Sequence, residues 1–248
     1  MLLVLTGFCV YISGLRTGGF TPNTYDSVET LNQVFGKDLR TLPALYDWQN
    51  KYEVRLIFTE MLVPIWTGPI LAAFIVGQDF ANRSITLPLL MGYTRTRTYL
   101  GKALFYFLAG LALSHVALYL TLFLNRPDWM QTMNAAVYLR LILFRTLADL
   151  ATLSIPWLAA FLFRDLIKTM AVSGGYAALL TFLNASAADN PNFLIRMIGH
   201  HPAFSIREMC IRYIPFPSDS MEMLLIALSM IALSSAVSYL IFCKSEMK

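Results

Sequence analysis

The chain has 248 residues, of which 57% are hydrophobic and 14% charged, with a net charge of +4 and a pI near 9.0. A water-soluble domain carries about 25% charged residues, so there is too little polar surface to cover a soluble particle, and a bilayer is the simplest home. The basic excess fits loops kept on the inner side of a membrane; no basic stripe with interleaved aromatics points to nucleic acid.

Residues 1–15 are apolar from the first position and shorter than the about 20 residues of a full span. They have no basic lead and no small-residue cleavage site, so they are expected to form a first membrane helix with little or no cytosolic lead-in. Residues 16–55 are polar with balanced charge and are expected to form a small ordered extracellular loop, in which Trp48 and Tyr52 suit the membrane interface. Residues 56–76 make a second span with Glu60 near its outer end and with Pro64 and Pro69 inside. Prolines of this kind are tolerated where neighbouring helices satisfy the freed carbonyls.

The stretch 77–102, GQDFANRSITLPLLMGYTRTRTYLGK, is a long polar and basic interruption between two apolar segments. Asp79 and Asn82 are cap candidates, and Ile85, Leu87, Leu89, Leu90 and Met91 give a short apolar side framed by charge. A plain tether needs no such side, whereas a short helix that docks on a protein or on the membrane surface does.

Residues 99–124 form a third span holding His115, and 125–134 a short turn. The fourth span, 135–163, contains Arg140, Arg145 and Asp149. Arg145 and Asp149 are four apart and share a helix face, and ionisable groups within a bilayer face the protein interior or a wet cavity. Arg145 and Asp149, with Glu60, are therefore candidates for polar positions along a pathway; the alternative is an internal ion pair that fixes helix packing, with Arg140 snorkelling outward. Residues 164–169 are a tight basic loop, and 170–187 a fifth span whose Ser173-Gly174-Gly175 permits close helix contact. Residues 188–220 mix polar and apolar positions and are expected to form interfacial or re-entrant extracellular helices; 221–243 is the last span. Cys9, Cys210 and Cys243 are scattered and expected to be unpaired, and His200-His201 has no carboxylate or cysteine spaced for a metal site.

With 77–102 placed inside, the inner segments carry eight basic against three acidic residues, and the much longer outer loops carry nine of each. The density of Lys and Arg then puts both termini in the cytosol. The expected fold is a single all-α polytopic membrane domain of six transmembrane helices, with a cytosolic segment after the second span and an interfacial or re-entrant extracellular segment before the sixth.

Asp79-Phe80-Ala81-Asn82-Arg83-Ser84-Ile85, then Gly92-Tyr93-Thr94-Arg95, then Tyr99-Leu100 and Lys102, resembles the first cytosolic loop of the type-2 ABC transporter permeases. Those are six-helix exporter subunits. Over the rest of the chain the likeness lies in span count and loop sizes. Two departures stand out: Arg83 occupies a place where glycine is commoner, and the basic amphipathic helix that opens family members is missing ahead of the first span. The resemblance implies a coupling helix over residues 79–90, seated in a groove of a separate ATPase subunit, with Asp79, Phe80, Asn82, Arg83, Ser84 and Arg95 as coupling residues. It further implies two ATPase copies, a second permease copy or related permease, and a bacterial cell membrane. ATP and Mg would sit on the ATPase partner, because this chain has no GxxxxGK[ST] loop of its own.

No catalytic residue and no metal site is expected, and the cargo implied is amphiphilic: a peptide, a lipid or a drug-like molecule. Antimicrobial-peptide immunity or sensing is the alternative role. An intramembrane protease is a remote one. Glu208 and Arg212 form an ExxxR, and His115, His200 and His201 are available, but Tyr119, Phe204 and Ser205 stand where further ligands would be needed.

Overall fold

The computed structural model describes residues 62–125, 135–182, 201–203 and 219–244. The expected first span, the 16–55 loop, Glu60, Cys9, Cys210 and most of 188–220 lie outside the described residues. Within them the chain is all-helical. It runs as α1 (Leu62–Ala72), a π turn (Ala73–Gly77), α2 (Gln78–Ala81), a 3₁₀ turn (Ser84–Thr86), α3 (Leu87–Leu90), α4 (Arg95–Asn125), α5 (Ala135–Phe163), α6 (Leu166–Phe182) and α7 (Asp219–Lys244). Among the described residues, four helical stretches are long and apolar enough to cross a membrane: Val63–Ala81, Arg95–Leu124, Leu141–Phe163 and Met223–Lys244. A shorter apolar helix covers Leu166–Leu180.

Local chemistry sets the boundaries. Helix α4 starts at Arg95, ahead of the expected 99, because the Thr94 hydroxyl accepts the Arg97 N–H at 3.2 Å and caps the first turn. Helix α6 starts at Leu166, ahead of the expected 170, because the Asp165 carboxylate accepts the Lys168 N–H at 2.9 Å. The basic loop expected over 164–169 is thus only the turn Arg164–Asp165, with Arg164 at φ 51°. Helix α1 does not stop at 76. It widens into the π turn, where the Gln78 N–H returns to Ala73 O, and continues to Ala81. The expected single helix over 79–90 is broken after Ala81, where Asn82 leaves helical geometry and Arg83 enters the left-handed region at φ 58°, ψ 10°.

The ends of the helices define a common face. Gly77 approaches the α5–α6 turn so closely that a Cβ there would lie 3.1 Å from Leu166 Cα. Phe80 packs edge-on against Phe161 at 5.8 Å. The connection 78–94, the turn 164–165 and the C-terminal end of α7 therefore gather at one end of the bundle, named the inner end below after the orientation expected from the sequence. Toward it Ala72, Val76, Ile85, Tyr99, Tyr106, Leu153, Trp157, Phe161 and Phe242 form one core cluster. Ile65, Leu118, Leu122, Leu141, Phe144, Leu180 and Met223 form a second toward the opposite end. Helices α4 and α5 cross at Gly110, where a Cβ would come within 2.6 Å of the fully buried Leu153. Outward-facing Leu104, Phe105, Leu108, Leu225, Leu233 and Leu240 give the long helices an apolar exterior.

Candidate functional site

The connection 78–94 is built as a rigid unit. Asp79, just before the break, accepts a 2.7 Å hydrogen bond from Ser84 Oγ just after it, and its other oxygen pairs with Lys102 in the second turn of α4. One carboxylate therefore fastens both sides of the reversal to a membrane helix. Arg83 supplies the reversal, and its carbonyl accepts from the Thr86 N–H at 3.2 Å and from Thr86 Oγ1 at 2.7 Å. Helix α3 closes at Gly92, φ 87°: the Tyr93 N–H returns to Pro88 O and the Gly92 N–H to Leu89 O, both at 3.0 Å. That is a Schellman ending, which a left-handed glycine allows without strain.

The two sides of this unit differ. Ile85 is buried in the inner cluster, and Phe80 lies between Phe161 and the Arg164 guanidinium, 5.8 Å from its ring. Facing away, Leu87, Leu90, Met91 and Tyr93 are exposed, Leu90 to 81% and Met91 to 74%. Arg97 lies 4.9 Å over the Tyr93 ring at the edge of that patch, and Asn82 and Arg83 are exposed at the turn. Basic side chains dominate the inner end, with Arg83, Arg95, Arg97, Lys102, Arg164, Lys168 and Lys244 against Asp79 and Asp165 among the described residues.

The coupling residues implied by the family motif separate into three groups. Asp79 and Ser84 meet, and Phe80 anchors beside them. Asn82 and Arg83 form the exposed corner. Arg95 points elsewhere: its Nη1 donates to Cys243 O at 2.6 Å and reaches Phe242 O at 3.5 Å, at the end of α7. Lys102 belongs to the motif, but its pairing with Asp79 spans 23 positions and no spacing rule signals it.

The second candidate site lies midway along α5. Arg145 Nε is 3.5 Å from Asp149 Oδ2, and the pair is 1% and 0% exposed. Ser114 of α4 completes it, donating to Asp149 Oδ2 at 2.5 Å and accepting from Arg145 Nη2 at 3.1 Å. One turn away Thr146 donates to Ile142 O at 2.7 Å, so its oxygen accepts from His115 Nε2 at 3.2 Å. Asp149 Oδ1 is buried without a partner among the described residues. Ser114 and Thr146 carry no sequence signal of this role, since isolated hydroxyls in apolar helices are common.

His201 accepts the Ala203 N–H on Nδ1 at 3.1 Å, which leaves the proton on Nε2, 2.7 Å from Tyr176 Oη. Burial pushes its pKa down to about 3, so the ring is a neutral structural link. No grouping of three or more His, Cys, Asp or Glu side chains fit for a metal occurs among the described residues, and Cys243 is a free thiol. Compared with family models, curated proteins and solved structures, the chain matches none.

Proposed function

We propose that the chain is the transmembrane permease subunit of an ATP-binding-cassette transporter, an exporter of amphiphilic cargo driven by a separate ATPase subunit. The observation that carries this proposal is the connection 78–94. It is braced to α4 through Asp79 and Lys102, seated through Phe80 and Ile85, and presents an apolar patch of Leu87, Leu90, Met91 and Tyr93 at the basic end of an apolar bundle. A flexible tether needs neither the brace nor the patch. A short rigid element that receives force from another subunit needs both. The family motif of the same residues points the same way.

In this mechanism two ATPase subunits, carrying ATP and Mg, close on one another beneath two permease copies. Each ATPase holds one 78–94 connection in a groove. Closure moves the connections, and the helices rigidly joined to them switch the pathway from inward- to outward-facing. Asn82, Arg83 and the exposed patch touch the groove, Phe80 seats the connection on the bundle, and Asp79 and Ser84 hold the reversal. The test is purification of the tagged full chain from its native membrane and an ATPase assay of the proteins that accompany it. A nucleotide-hydrolysing subunit that is lost on Asp79→Ala with Arg83→Ala, in a chain that still inserts, is the expected result. A chain that purifies without any ATPase sinks the proposal.

A further inference from the structure

The first turn of α4 grips the last turns of α7 at three levels. Nearest the inner end is the Arg95 guanidinium on Cys243 O and Phe242 O, at 2.6 and 3.5 Å. The last carbonyls of a helix have no intrahelical donor, and a cation there completes them and complements the helix dipole. Next, Thr96 Oγ1 and Tyr239 Oη are 2.9 Å apart. Deepest is Tyr99, whose hydroxyl lies 2.9 Å from Ser235 O and 2.7 Å from Ser238 Oγ while accepting the Trp157 indole N–H at 3.0 Å. Its ring also meets Tyr239 and Phe242, with centroids 5.3 and 6.1 Å away. Along its length α7 packs most extensively on α5, and its opposite face turns outward, with Met221, Leu225, Leu228, Leu233, Val237 and Leu240 exposed.

The same first turn of α4 is continuous with the 78–94 connection. Only Tyr93 and Thr94 separate the Schellman ending at Gly92 from Arg95, and Thr94 caps α4. The Asp79–Lys102 pair ties the far side of the connection to the next turn. We propose that Arg95 and Tyr99 are positioning residues that make the inner end of α7 part of the moving unit, so that displacement of the connection is delivered to α7. Arg95 then acts by holding α7, although its place in the motif suggests contact with the partner subunit. This inference rests on the proposed docking of an ATPase at 78–94, but the grip itself belongs to the chain alone.

Two measurements separate the grip from the docking. The first is amide hydrogen exchange of the full chain in lipid nanodiscs without any partner. Arg95→Gln and Tyr99→Phe are expected to speed exchange in the last two turns of α7 by up to about tenfold each, the scale of one lost hydrogen bond. Exchange over 78–91 stays unchanged, and Arg95→Lys restores part of the protection. Unchanged exchange in α7 overturns the grip. The second places a spin label at Leu240→Cys, with Cys9, Cys210 and Cys243 replaced by serine, in the complex with the co-purified ATPase. ATP with Mg is expected to alter the mobility of the label, and Tyr99→Phe with Thr96→Val is expected to weaken that response while ATP hydrolysis persists. A response undiminished in this double variant overturns the transmission. If no ATPase accompanies the chain, the docking falls and the transmission with it, and hydrogen exchange still decides the grip.

Discussion

Two acid–base pairs, Arg145–Asp149 and Asp79–Lys102, sit in opposite settings, and their contrast separates what holds the bundle from what the bundle presents. The Arg145–Asp149 side chains are 1% and 0% exposed, deep between α4 and α5, while those of Lys102 and Asp79 are 20% and 30% exposed at the inner end. In the first setting a charge without its partner has no water to turn to, so each member stabilises the other strongly even though the pair as a whole adds little over apolar packing. In the second setting water reaches both partly buried charges and screens them in part, and a surface pair contributes about 0.2–1 kcal/mol. The buried pair is therefore costly to break on one side only. The exposed pair has too little energy for that, and what it does supply is position: it decides where the 78–94 reversal sits relative to α4.

The largest expected effect comes from breaking the buried pair on one side only. Asp149→Leu leaves the Arg145 guanidinium buried beside Ser114 and is expected to destabilise the protein by about 3–5 kcal/mol, read as a lower unfolding midpoint in detergent or as failure to accumulate in the membrane. Arg145→Leu combined with Asp149→Leu removes both charges and is expected to recover most of that loss. The comparison also decides between the two roles open for this pair. If Asp149→Leu is tolerated with stability intact, water reaches the carboxylate and the pair lines a pathway; if only the double variant is tolerated, the pair is internal packing.

Tyr99→Phe comes next. Its hydroxyl serves the buried Trp157 indole N–H and the Ser235–Ser238 segment at once, and leaving such groups unsatisfied costs about 1–3 kcal/mol. Thermal unfolding of the purified chain measures this directly, and an unchanged midpoint would mean that water replaces the hydroxyl at the α4–α5–α7 junction. Arg83→Gly is smaller and opposite in sign. At φ 58°, ψ 10° an L-residue is strained relative to glycine, so the glycine variant is expected to gain about 1 kcal/mol, whereas Arg83→Ala, which keeps a Cβ, gains nothing.

Much of the helical architecture is legible in sequence because it follows from continuous apolar runs. Residues 135–163, read as apolar, are one helix, Ala135–Phe163. Element starts are less legible because they depend on single caps, Thr94 and Asp165, each lying beside an arginine in a short polar stretch. The break inside 79–90 leaves no mark, since its left-handed residue is an arginine rather than a glycine. Pairings across the fold are least legible of all. Arg145 and Asp149 are readable because four positions along a helix define one face. Arg95 meets a carbonyl 148 positions away, and Asp79 meets Lys102 from another helix; only the packed bundle brings those atoms together.

The smallest expected effect on stability falls on the exposed pair, where the proposed function predicts the largest loss of activity. Asp79→Asn with Lys102→Gln removes both charges without adding a lone one, so the unfolding midpoint is expected to move by less than about 1 kcal/mol in stability. The Ser84 hydroxyl can still donate to the amide oxygen that replaces the carboxylate, so the turn persists, but its distance from α4 is no longer fixed. If the connection only joins two helices, nothing further changes. If it transmits force from an ATPase subunit, slack between it and α4 weakens co-purification of that subunit or uncouples its hydrolysis from movement of the helices. Measuring stability and ATPase retention on the same double variant therefore separates a brace that exists for the fold from one that exists for a partner. Loss of both in proportion would place Asp79–Lys102 in the same class as the buried pair and remove the contrast.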